Sequence, residues 1–253
     1  RRIVDVARRT FPDVRIGSGT PHFFVQLNRA ERLGDVDFLT FKTSSIVHGT
    51  DDEAVMTSLS SLPSMIATLD ARYPGVPIRV GPSTIGARGS PLGAQPHSGG
   101  TRRIALAQRD PRHRGLYGAA WLLGYVAQLA TTRTSAITLM SLSGSSGIVD
   151  FDDQKPAFRY PAFHMLARLQ GAARVHDVSV SEPAHIAALA VMRAGCRELL
   201  LANLRAVPTV VDLANGAPAR IAVMDANSWR GVDTAGDAWR VVPAPRRGEL
   251  IRA

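Results

Sequence analysis

The stretch VDFLTFKT (36–43) is followed by the polar segment SSIVHGT (44–50), a helical pattern from about Asp51 to Arg72, and a second apolar run, IRVGPS (78–83). The two apolar runs have the length and residue types of buried strands. Parallel strands need a long crossover connection between them, usually a helix. Together these segments predict a β-strand, a crossover helix and a second, parallel β-strand.

The same alternation extends outward in both directions. Before this unit, a short strand at 13–17 leads into an irregular polar loop at 18–29. After it come a long Gly/Pro/Ser loop at 84–101 and a fourth strand at 136–140. Two further helices are predicted at 116–131 and 161–172. Strand, loop and helix thus alternate four times, which predicts an α/β fold with a parallel sheet and its site at the carboxyl ends of the strands.

The pattern changes near residue 174. Short apolar strands separated by turns follow at 175–180, 186–192, 198–204, 209–213, 220–224 and 239–242. The Asn215-Gly216 pair is a good hairpin-turn signal. We therefore expect two domains, an α/β domain at 1–174 and a small antiparallel β domain at 175–253.

The composition excludes several classes of protein. Apolar residues make up 45% of the chain, no apolar run is long enough to span a membrane, and the single cysteine allows no internal disulfide. The net charge is +9, yet the 28 arginines are spread from end to end around two lysines, so we expect no nucleic-acid partner. No paired His or Cys spacing suggests a metal. We expect a cytoplasmic protein without a metal or cofactor.

The first residues suggest that the chain is a piece of a longer protein. Residues 1–9 have the pattern of the last turns of an amphipathic helix, and neither an initiator Met nor a signal peptide precedes them. We expect further strands of the same domain to precede this segment.

Two residues after the second strand are candidates for acid–base chemistry. His48 is the first candidate for a general base, because imidazole titrates near neutral pH. Asp52 is the second, in the acidic cluster Asp51-Asp52-Glu53. A structural interpretation competes with it, because Thr50 and Glu53 have the spacing of a helix capping box.

Other polar residues at strand ends are candidates for substrate binding. Their amide, hydroxyl, ammonium and guanidinium groups suit sugar hydroxyls and carbonyl oxygens. These candidates are Gln26, Asn28, Arg29, Lys42, Ser83 and Arg88. Neither Ser83 nor the loop SLSGSSG (141–147) has the Gly-x-Ser-x-Gly spacing of a nucleophile elbow, so a Ser–His–Asp hydrolase is disfavoured.

Several motifs, in order over residues 15–170, resemble the D-apionate lactonase-like family. They are FFVQLNR (23–29), IVHGTDD (46–52), RVGPSTIG (79–86), RGLYGAAW (114–121) and YPAFH (160–164). The resemblance implies a (β/α)8 TIM barrel of the clan-A glycoside hydrolase type with a β-rich C-terminal domain. It also implies that the four βα units here are the C-terminal half of that barrel, strands five to eight, and that the substrate is a small sugar or sugar lactone.

Two departures from that family bear on the activity. Gln26 stands where the family has a glutamate, and no glutamate closes the strand at 78–83. Retaining glycosidases need two carboxylates about 5–5.5 Å apart, and these segments supply no evident pair. We therefore predict a hydrolase that opens a sugar lactone to its aldonic acid. The alternatives are a glycoside hydrolase-like enzyme and a degenerate barrel that binds sugar without turnover.

Overall fold

A computed structural model describes residues 2–89, 96, 99–152, 155–176, 178–214, 220–229, 237–243 and 251–252. The chain divides into two compact units, Arg1–Asp110 with Gln128–Met140 and Pro111–Ala127 with Ser141–Ala253. The predicted Asn215-Gly216 turn lies outside the described residues. No helix in the described part of the chain is both long and apolar enough to cross a membrane.

The first unit is built on a four-stranded parallel sheet. Its strands are β1 (Gly17–Phe23), β2 (Phe38–Lys42), β3 (Ile78–Ser83) and β4 (Thr134–Leu139), in the order β1-β2-β3-β4. Each strand pairs with the next one along the chain, as in a barrel, whereas a doubly wound sheet reverses its order at a switch point. The predicted parallel α/β arrangement is confirmed, and it is of the TIM-barrel type.

The longer helices are α1 (Arg2–Thr10), α2 (Phe24–Arg29), α3 (Asp52–Thr57), α4 (Leu62–Arg72), α5 (Leu116–Ala130) and α6 (Pro161–Leu169). The first four belong to the first unit, whereas α6 and most of α5 belong to the second. The single helix predicted at 51–72 is wrong, because a 3₁₀ turn at Ser58–Ser61 separates α3 from α4. Pro63 lies in the first turn of α4 and has no amide hydrogen, so an α-helix cannot continue through it unchanged.

The helix cap after β2 also differs from the prediction. The N-cap of α3 is Asp51, whose carboxylate accepts a hydrogen bond of 2.8 Å from the Ala54 amide. The capping box predicted on Thr50 is therefore wrong. Asp52 and Glu53 do occupy the first turn, where carboxylates interact favourably with the helix dipole.

The start of the sheet is shifted relative to the sequence prediction. Residues 18–23 continue β1 instead of forming a loop, and α2 occupies the rest of the predicted loop. Gly19 explains the difference, because a Cβ built there would lie 1.8 Å from the Thr40 carbonyl oxygen. The glycine that gives this segment a loop-like composition allows β1 to approach β2.

The two faces of the sheet differ in polarity. Leu39, Phe41, Ile78 and Val80 are almost completely buried on one face. Lys42 follows the opposite alternation at the end of β2 and is half-buried. One face therefore supplies the core, and the other presents polar groups.

The second unit contains the remaining strands, all in antiparallel pairs. They are β5 (Val149–Asp152), β6 (Lys155–Arg159), β7 (Ala172–His176), β8 (Ile186–Arg193), β9 (Cys196–Asn203), β10 (Val210–Val211), β11 (Ile221–Val223), β12 (Arg240–Val242) and β13 (Ile251–Arg252). The pairs are β5–β6, β7–β8, β8–β9, β10–β13 and β11–β12, and a short helix, α7 (Ala226–Trp229), follows β11. The predicted antiparallel β region is confirmed, whereas the β5–β6 hairpin was not predicted.

The β8–β9 hairpin has a two-residue turn. Arg193 and Cys196 pair directly, so the loop is Ala194-Gly195. Both loop residues have positive φ, 49° and 78°, as the favoured two-residue hairpin turn requires. The single cysteine of the chain therefore follows a tight turn, and it is exposed.

Candidate functional site

Lys42 is the central cation at the carboxyl edge of the parallel sheet. It ends β2, its side chain is half-buried, and its ammonium donates a hydrogen bond to the Arg88 carbonyl oxygen. Among the described residues no carboxylate lies within ion-pair distance of this ammonium. The positive charge of Lys42 is therefore not neutralised by this part of the chain.

Arg88 adds a second positive charge beside the first. It follows β3, and its guanidinium donates a 3.3 Å hydrogen bond to the Met140 carbonyl oxygen just beyond β4. Burial, and to a smaller extent the charge of Arg88, lower the pKa of Lys42 below its ordinary value. The two cations therefore lie close enough to affect each other.

Met140 holds the end of β4 in an unusual backbone conformation. Its φ is +51°, its side chain is buried, and its amide donates a 3.0 Å hydrogen bond to the Ser83 carbonyl oxygen. A left-handed conformation is costly for a residue with a Cβ, and such strain clusters at functional sites. Through Met140 the end of β3 and the Arg88 side chain are held together.

Ser83 lies at the end of β3 and is completely buried. Its hydroxyl accepts a 3.0 Å hydrogen bond from the Thr43 hydroxyl, which follows β2. These contacts tie the two strand ends together.

Gln26, Asn28 and Arg29 lie on α2, directly after β1. Phe24 anchors this short helix by an edge contact of 5.9 Å between its ring centroid and that of Phe41. Asn28 and Arg29 are exposed, whereas the side-chain oxygen of Gln26 is buried and has no hydrogen-bond partner among the described residues. A buried polar atom without a partner costs free energy unless a ligand or water satisfies it.

His48 and Asp52, the two predicted base candidates, differ in their described contacts. His48 is exposed, and its imidazole has no hydrogen-bond or ion-pair partner among the described residues. Asp52 forms an ion pair with Arg103 at 3.2 Å, and both side chains are 48% exposed. Contacts among the described residues thus connect Lys42, Ser83 and Arg88 at the strand ends, and the contacts described for His48 and Asp52 do not reach them.

His22, near the end of β1, is a candidate that sequence reasoning missed. In the part of the chain that the structure describes, its Nδ1 is buried without a hydrogen-bond partner, as is the Gln26 side-chain oxygen four residues later. The signal available in the sequence is weak, a histidine shortly before a polar strand-end segment. No group of three or more His, Cys, Asp or Glu side chains suited to a metal ion occurs among the described residues.

Comparisons with known proteins give a consistent result. Residues 1–174 match the family model described as D-apionate lactonase, TIM barrel domain, and residues 183–250 match the one described as D-apionate lactonase, C-terminal immunoglobulin-like domain. The D-apionate lactonase of Brucella anthropi is 34% identical over 217 residues, covering 83% of this chain and 35% of that protein. The chain thus spans about a third of the length of this relative. These matches confirm the resemblance that the sequence motifs indicated.

A solved structure is similar in fold. AbfB, a family 51 α-L-arabinofuranosidase from Bifidobacterium longum, aligns with a TM-score of 0.61, over 96% of this chain and 57% of its own. The sequence identity is 13%, so this likeness shows the fold alone.

Proposed function

Because the chain belongs to the D-apionate lactonase family, we propose that it is part of an enzyme that hydrolyses a sugar lactone to the aldonic acid. The observation that carries this proposal is the pair of cations, Lys42 and Arg88, at the carboxyl edge of a parallel sheet. Barrel enzymes place their reacting groups at this edge.

We also propose that the four strands are strands five to eight of a (β/α)8 barrel, within an α/β domain at 1–174 that precedes a β domain at 175–253. The sequential strand order supports this arrangement. So does the mixed polarity of the sheet, because in a barrel one face packs on helices and the other lines the interior. D-apionolactone is the substrate that the relative's name suggests.

The reaction needs a base and a group that stabilises negative charge. A base takes a proton from water, the water oxygen bonds to the lactone carbonyl carbon, and the ring C–O bond then breaks as its oxygen takes a proton. Negative charge develops on the carbonyl oxygen, where nearby cations stabilise it in a partly buried site. We assign that stabilisation to Lys42 and Arg88.

The remaining candidates receive the following roles. His48 or Asp52 is the base, and His22 is an additional candidate because its Nδ1 is buried with no hydrogen-bond partner among the residues that the structure describes. Gln26, Asn28 and Arg29 bind substrate hydroxyls. Since the Ser83 hydroxyl is buried against Thr43, we propose that it orients the lactone indirectly, by fixing the strand ends.

The test is acid release by the full-length protein from a panel of sugar lactones at constant pH. We expect release above the spontaneous rate, and a loss of at least 100-fold in kcat when the base is removed. His48→Ala, Asp52→Asn and His22→Ala are compared with His176→Ala, a control at an exposed histidine on β7. No release above the spontaneous rate by the unaltered full-length protein would refute the proposal.

A second candidate function, sugar binding without turnover, is favoured by Gln26. An amide does not titrate at ordinary pH, so it cannot replace a glutamate base or nucleophile. This alternative predicts saturable calorimetric binding of a lactone with no acid release, and release that appears in Gln26→Glu. Turnover by the unaltered protein would exclude it.

A further inference from the structure

We infer that Lys42 and Arg88 form a carboxylate subsite, so that the site binds an open-chain sugar acid more tightly than the matching neutral polyol. This inference rests on the proposed function in taking the ligand to be a sugar derivative. It goes further by assigning the preferred charge of the ligand to two residues.

Lys42 has N–H donors that its described contacts do not use. An ammonium has three N–H donors, and the described contacts of Lys42 use one of them, on the Arg88 carbonyl oxygen. No carboxylate among the described residues pairs with it. The remaining donors and the positive charge are therefore available to a ligand.

A glycine leaves space beside the Lys42 ammonium. Gly89 has a φ of +95°, and a Cβ built there would lie 3.0 Å from the Lys42 nitrogen. A side chain at position 89 would therefore press against the ammonium. The glycine keeps the loop after β3 close to Lys42 without covering it.

The Arg88 guanidinium is held in place at the strand ends. Its guanidinium donates to the Met140 carbonyl oxygen at 3.3 Å, and the Met140 amide is itself bonded to β3. An arginine held in this way loses less side-chain freedom when it binds a carboxylate. The second cation of the subsite is thus fixed by the ends of β3 and β4.

The charges of Lys42 and Arg88 favour an anionic ligand. Burial leaves the Lys42 ammonium poorly hydrated and the nearby charge of Arg88 repels it, and both lower the pKa of Lys42. A carboxylate between them removes the repulsion and forms charge-assisted hydrogen bonds, which are roughly twice as strong as neutral ones. A hydroxyl at the same place provides no compensating charge.

The experiment measures binding by calorimetry with five- and six-carbon aldonates and their matching alditols. We expect at least one aldonate to bind the full chain about 10- to 100-fold more tightly than its alditol, and to lose that advantage in Lys42→Met. Lys42→Arg should retain most of it. Arg174→Met removes an exposed positive charge and should leave both affinities unchanged.

The outcomes separate this inference from the proposed function. A charge preference that depends on Lys42 supports the subsite whether or not lactones are hydrolysed. Lactone hydrolysis with no aldonate bound more tightly than its alditol overturns the subsite and leaves the proposed function standing. A preference that persists in Lys42→Met also overturns it. The comparison of aldonate with alditol in the unaltered protein does not depend on how well any variant folds.

Discussion

Replacing Met140 tests whether the carboxyl edge of the sheet holds the strained backbone described above. Met140 has a φ of +51° and is 4% exposed. Either Met140→Ala or Met140→Gly deletes a buried side chain, which costs about 2–5 kcal/mol of unfolding free energy. The informative quantity is the difference between these two variants, because the loss of the side chain is nearly common to both.

Two effects of opposite sign decide that difference. A left-handed conformation costs a residue with a Cβ about 1–2 kcal/mol, and glycine avoids this cost. Glycine also loses more chain entropy on folding, which costs about 0.5–1 kcal/mol relative to alanine. The first effect is larger, so Met140→Gly should be more stable than Met140→Ala by about 0.5–1 kcal/mol.

The measurement is equilibrium urea unfolding followed by tryptophan fluorescence, with the denaturant dependence compared between variants. Ala67, exposed in α4, provides the control, since Ala67→Gly should lower the unfolding free energy by about 1 kcal/mol in an ordinary helical backbone. The sign of the Gly–Ala difference should therefore reverse between positions 140 and 67. The same sign at both positions would show that the strain assigned to Met140 is absent.

Two further predictions concern pH. Burial lowers the pKa of His164 despite the opposing charge of Asp237, so the unfolded chain binds its proton more readily and stability should fall as pH drops below about 6.5. Unfolding at pH 7.5 and 5.5 should show a larger loss in the unaltered protein than in His164→Gln, and equal losses would contradict this. A 2.5 Å hydrogen bond from the Ile16 amide and the Arg8 guanidinium hold the pKa of Asp37 below its ordinary value, so its contribution is present above about pH 4 and lost as pH falls through the lower folded value. Asp37→Asn should be less stable than the unaltered protein at pH 7, with a smaller gap at pH 3; a gap that does not change with pH would argue against this role.

The sequence predicts a strand well when the side chains of that strand are themselves apolar. β2 and β3 are apolar runs whose boundaries were predicted to within two residues, because their side chains alone favour a buried strand. The sequence misplaces β1, because residues 18–23 form a strand through their pairing with β2. A glycine-rich segment indicates a strand only when Phe38 and Thr40 lie against it.

The candidate site shows the same division. Lys42, Ser83 and Arg88 could be chosen from the sequence, because the residue after a parallel strand has a known place in the fold. The buried nitrogen of His22 and the positive φ of Met140 could not be predicted, because each arises only in the folded chain. The ion pair of Asp52 with Arg103 could not be predicted from the sequence either, because it depends on a loop far along the chain.

The scarcity of lysine makes Lys42 chemically addressable. The chain has two lysines, and the lowered pKa of Lys42 leaves a larger fraction of its side chain as free amine at a given pH. A mild acylating reagent used near neutral pH would therefore react with few positions, and mass spectrometry of tryptic fragments would report the extent of modification at Lys42. A ligand bound at Lys42 would protect its amine from acylation. The extent of modification at Lys42 would then report the fraction of sites occupied, without a label elsewhere in the protein.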